Sequence, residues 1–116
     1  MKKNLIHVIY PAQKTVSLVI ETDLGTNDIL EMVFARFNNG SGMECREFTS
    51  AGVRSLSVND IVCVNGKYFQ CLPFGWEEVS GGFVSKLEDE VRNHPRFDFA
   101  GAWFALSEVM WEREKE

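Results

Sequence analysis

Basic excess, long apolar runs and histidine are what this 116-residue sequence has least of. Twelve lysines and arginines stand against seventeen aspartates and glutamates, for a net charge of −5. The cations are scattered rather than gathered into the stripe that phosphate binding usually brings, so a direct grip on nucleic acid is disfavoured. The acidic balance could present carboxylates to a basic partner, but it is also ordinary solubility. The longest apolar stretches, Val16–Ile20 and Phe99–Leu106, fall far short of the roughly 20 residues that span a bilayer. Lys2 and Lys3 open the chain, yet the residues after them lead straight to Pro11 without the apolar region of a secretory leader. The expectation is a cytoplasmic protein with no membrane contact.

Chemistry-bearing residues are few and badly spaced for catalysis or metal binding. His7 and His94 lie far apart, and neither has Cys, Asp or Glu at ligand spacing, so each reads as structural or surface. Cys45, Cys63 and Cys71 are an odd number without a metal pattern, and they read as reduced, mostly buried thiols. A cysteine nucleophile would need a histidine close in space and a lowered pKa, for which the sequence gives no sign. Glu77-Glu78 and Glu88-Asp89-Glu90 read as solvated faces rather than catalytic pairs. Gly40-Ser41-Gly42 follows a helix instead of opening one, and Ser80-Gly81-Gly82 lacks the Lys-Ser/Thr ending of a phosphate loop. No enzyme, cofactor or metal is expected.

What is present is a globular composition, 45% apolar with nine Phe and three Trp. A chain of this size buries about two-thirds of its unfolded surface, enough for one core without a metal or disulfide. The expectation is one α+β domain over residues 1–116, a small antiparallel sheet of two hairpins packed by about three helices, with 112–116 a frayed charged tail.

The first hairpin is NLIHVIY and TVSLVIETD, broken by Pro11–Lys14, with Val16, Leu18 and Ile20 on the buried face. Thr26, Asn27 and Asp28 offer caps for a helix in which Ile29, Leu30, Val33, Phe34 and Phe37 fall at helical spacing. Asn38–Gly42 reads as a flexible loop, and residues 43–53 as a short strand around Cys45–Phe48 or an extended loop. The second hairpin, residues 60–71, carries the strongest local signal, because Asn65-Gly66 suits the two turn positions that need positive φ. Its register sets Cys63 opposite Tyr68 and Cys71 opposite Asp60, which turns the two thiols to opposite faces. The face of Val62, Val64, Phe69 and Cys71 is the one expected to meet the core. Glu77–Val79 is a candidate further strand, Ser80–Gly82 a break, and Phe83, Val84, Leu87 and Val91 the stripe of a second helix. Asp98 can cap a last helix with Phe99, Trp103, Leu106 and Met110 on one line.

Two features remain after that accounting. Arg54-Ser55-Leu56-Ser57-Val58-Asn59-Asp60 has the residues of a self-bonded turn, with Arg54 able to anchor Asp60 or to face a ligand. Phe74, Trp76 and Trp111 are candidate interface anchors, against the alternative that a helix edge or loop covers them.

The stretch LEMVFARFN (30–38), followed by RSLSVNDIVCVNGKYFQCLPFGWEEV (54–79), resembles the YodL-like domain of phage, plasmid and other mobile-element proteins. The matching positions are Phe37, Asn38, Arg54, Ser55, Leu56, Ser57, Val58, Asp60, Phe74, Gly75 and Trp76. Asn59 stands where Ser or Gly is usual, and the chain after Phe83 has no counterpart. The resemblance implies a genomic setting and carries no catalytic role. Together these features lead to the expectation of a non-enzymatic accessory protein that binds a bacterial host protein, with inhibition of a defence system such as restriction or CRISPR as one such job. The alternative is a small nucleic-acid-binding module that stacks bases on hairpin aromatics. Homo-oligomerisation is open.

Overall fold

The structure is a computed structural model, and it describes residues 1–93. The expectations for His94, the last helix, Trp111 and the charged tail lie outside the described residues.

Alternation builds β1 (Lys3–Tyr10) and β2 (Lys14–Glu21), and Leu18 and Ile20 point inward at 7% and 2% exposure as the pattern required. The second hairpin follows as β3 (Ile61–Val64) and β4 (Lys67–Cys71), with Asn65 at φ 51° and Gly66 at φ 88° in its turn. Its expected register holds, Cys63 against Tyr68, and β5 (Trp76–Val79) adds to it. All neighbours pair antiparallel in one five-stranded sheet of order β2-β1-β3-β4-β5. With its helices this is an α+β fold.

Helix α1 (Thr26–Arg36) lays its narrow stripe on the sheet. Leu30, Val33 and the following Phe37 are 0% exposed, each stabilising the fold by about 2 kcal/mol relative to exposure. Its N-cap is Gly25, without the side-chain cap that Thr26, Asn27 and Asp28 offered. Residues 43–53 depart from the expectation of strand or loop, because Arg46–Ala51 form a short helix, α2. One apolar residue decides it. A helical turn aims Phe48 into the core, where its ring packs 5.6 Å from that of Phe37. The loop before it is tied rather than free, since the Ser41 hydroxyl donates to the Ala35 carbonyl at 2.6 Å and the Gly40 N–H to the Glu44 carboxylate at 3.2 Å. Glu44's own N–H and that of Gly40 hold its carboxyl below the ordinary value.

Helix α3 (Gly81–Asn93) covers the opposite face of the sheet. Ser80 is not a break but its cap, with the Phe83 N–H on its hydroxyl at 3.0 Å. Phe83, Val84, Leu87 and Val91 pack with Ile9 and Ile61, and with part-buried Tyr68 and Val79. Both faces of the second hairpin are therefore buried, not only the one carrying Val62, Val64, Phe69 and Cys71. Three helices are described, and α2 is one that the sequence pattern did not anticipate.

Candidate functional site

The segment entering β3 folds into a polar staple. Arg54 grips the Asp60 carboxylate at 2.6 Å and 2.9 Å, with Asp60 itself 1% exposed. The Ser57 N–H donates to the same carboxylate at 2.8 Å, and the Ser57 hydroxyl accepts from Arg54 at 3.1 Å. Arg54 also lies 5.0 Å from the centre of the Tyr10 ring, whose hydroxyl donates to the Arg54 carbonyl at 2.9 Å. Burial pushes the Asp60 carboxyl above its ordinary value, opposed by Arg54 and Ser57. Ser55 accepts the Asn39 N–H at 2.8 Å, and the Leu56 N–H meets the Phe37 carbonyl at 2.8 Å, which ties the end of α1 to β3. Asn59 takes φ 83°, a left-handed conformation that Asn tolerates, and its side chain accepts from Gln70 at 3.1 Å. Asn65 caps the far end, bonding Asn4 and the Leu5 N–H at 2.9 Å each.

The turn leaving β4 is built the other way. Pro73 fixes one corner, Gly75 supplies φ 79°, and the Leu72 N–H closes on the Gly75 carbonyl at 3.0 Å. Phe74 is left at the tip, 94% exposed. Trp76 is half-buried against the core and meets Phe34 of α1 edge-on at 6.4 Å. Beside this pair opens a cavity of about 210 Å³, lined by Glu31, Phe34, Cys71, Leu72, Pro73, Gly75 and Trp76. Burial, with the charges of Asp60 and Glu31, pushes the Cys71 thiol up to about 12, which disfavours its thiolate. Burial likewise raises Cys45.

The sheet register also places His7 beside Cys63, across β1 and β3. His7 Nδ1 shares a 2.6 Å hydrogen bond with the Ser17 hydroxyl, and Cys63 is 4% exposed. Neither lines the cavity at Trp76. Among the described residues no group of three or more His, Cys, Asp or Glu could hold a metal ion, and no helix is long and apolar enough to cross a membrane.

No family model, curated protein or solved structure matches the chain. Of the sequence-selected residues, Arg54, Ser55, Ser57 and Asp60 come together in the staple, while Phe74 and Trp76 share the neighbouring turn that leaves β4. Glu31 and Phe34 were missed as site residues. Phe34 counted as core by its spacing, yet it is 37% exposed. The signal was the width of the stripe: Ile29, Leu30, Val33 and Phe37 fill one face, and Phe34 falls at its edge.

Proposed function

We propose that this chain is a non-enzymatic, cytoplasmic accessory protein of a mobile element that binds a bacterial protein through the Phe74–Trp76 turn. The observation that carries this reading is Phe74, a large apolar side chain 94% exposed on a turn that Pro73 and Gly75 pre-organise beside an aromatic-walled cavity. Aromatic groups anchor interfaces because they bury much area for little lost rotamer freedom. The mobile-element setting comes from the YodL-like resemblance, and in that setting inhibition of a host defence system such as restriction or CRISPR is one job such binding could do. Glu31, Glu77 and Glu78 flank the turn, a charge arrangement that favours protein over nucleic acid.

A photo-crosslinking residue placed at position 74, and separately at exposed Thr15 on β2, tests it in bacterial lysate. The expected result is one recurrent protein captured from position 74 and not from position 15. Equal capture from both positions, or none from 74, sinks the reading, and salt-sensitive oligonucleotide binding that Phe74→Ala abolishes would favour the nucleic-acid alternative.

A further inference from the structure

β5 ends the sheet beside the Phe74 turn, and among the described residues only β4 pairs with it. In an antiparallel ladder, residues alternate between directing their backbone polar groups at one neighbour and at the other. Cys71 directs its N–H to the Asp60 carbonyl at 2.9 Å and accepts the Asn59 N–H at 2.9 Å, so it faces away from its cross-strand partner Trp76. The Leu72–Gly75 bond fixes the same phase from the turn side. Trp76 and Glu78 therefore hold their N–H and C=O groups outward, along the open edge. Their side chains share the α1 face, where the cavity lies, while Glu77 and Val79 share the α3 face.

The charges on this edge select its occupant. Glu77 and Glu78 are exposed on β5, and Glu31 stands at the cavity wall. A second copy of the same edge would oppose like charges across the new pair. A cavity of 210 Å³ takes one apolar side chain and lies below the roughly 300 Å³ at which small-molecule pockets begin.

We infer that β5 is a docking edge for an extended, basic segment of a partner protein, which adds a strand to Trp76 and Glu78 and seats an apolar side chain in the cavity that Phe34 and Trp76 help to line. Lysine or arginine side chains of that segment meet Glu31 and Glu78 on one face and Glu77 on the other, so the segment sets one apolar residue, on the cavity face, among basic residues on both faces. This rests on the Phe74 reading and names the chemistry of its partner.

The test is a displayed library of random peptides selected against the full chain, with the enriched peptides synthesised and titrated by fluorescence anisotropy. Enriched peptides are expected to set one apolar residue among Lys or Arg at both neighbouring and next-but-one positions. Glu78→Pro removes an outward N–H without touching the β4 ladder, and it should weaken their binding about tenfold or more. Glu78→Lys keeps the edge and should weaken binding several-fold, most strongly at low salt. Thermal unfolding checks both variants, and a peptide N-methylated at its pairing positions replaces Glu78→Pro if that variant does not fold. No enrichment, enrichment of acidic or helically spaced sequences, or unchanged affinity for Glu78→Pro and the N-methylated peptide overturns the inference. Concentration-dependent self-association lost in Glu78→Pro would also overturn it, by making the occupant a second copy. If Phe74→Ala abolishes binding while every edge change leaves it intact, the Phe74 reading stands and the edge inference falls. The converse pattern separates them the other way.

Discussion

The turns that enter and leave the second hairpin sit side by side at one end of the sheet, joined by the Asn59–Cys71 and Cys71–Asp60 hydrogen bonds. The entering turn directs its polar groups inward, Arg54 to Asp60, Ser57 to both, Asn59 to Gln70. The leaving turn is shaped by Pro73, Gly75 and the Leu72–Gly75 hydrogen bond but leaves Phe74 in solvent and two carboxylates along the next strand. A defined backbone turn is common to both. What differs is whether the groups presented find partners inside the molecule, and that separates a scaffold from a surface with free binding capacity.

The largest way to break this contrast is Arg54→Ala. It strands a carboxylate that is 1% exposed, and should cost about 3 kcal/mol, the low end for a buried pair because Arg54 keeps 37% exposure. The pH dependence has a definite sign. Burial already sets the Asp60 carboxyl above its unfolded value, and removing Arg54 raises it further. An acid with a raised folded pKa is a penalty while ionised, and the penalty is relieved as pH falls through that folded value towards the unfolded one near about 3.9. Urea unfolding should therefore find Arg54→Ala less destabilised in mild acid than at pH 8. A loss independent of pH would show that Asp60 is not the charge being stranded. Asn59 comes next. Asn59→Ala loses the Gln70 bond and strains a φ of 83°, for about 2 kcal/mol, whereas Asn59→Gly loses only the bond, for about 1 kcal/mol. Equal losses would mean that the left-handed backbone carries no strain.

The staple was legible in sequence because Arg, Ser and Asp within seven residues can satisfy one another locally. Both hairpins were legible for a similar reason, since alternation and an Asn-Gly turn are short-range signals. Residues 43–53 were not. Their helix is decided by Phe48 meeting Phe37 across a loop, a tertiary contact that leaves no periodicity in six residues. The second buried face of the β3–β4 hairpin was hidden for the same reason, because Ile61, Cys63 and Tyr68 alternate no differently whether or not a helix later covers them. The cavity was half visible: the Phe-Gly-Trp turn stood out locally, but its wall comes from Glu31 and Phe34, some forty residues earlier in the chain.

Phe74→Ala gives the smallest expected change in stability and the sharpest test of the contrast. A side chain 94% exposed removes almost no apolar area from water, so the unfolding free energy should move by less than about 0.5 kcal/mol. Arg54 and Phe74 belong to different turns, and the residues that Arg54 is described as bonding, Ser55, Ser57 and Asp60, do not include Phe74, so their double variant should sum the single effects within about 0.5 kcal/mol in the same urea titrations. Were Phe74→Ala to cost more than about 1 kcal/mol, or the pair to couple, Phe74 would be packing against the molecule in solution. The leaving turn would then be a second scaffold like the entering one, and the case for a docking surface at Trp76 would lose its anchor.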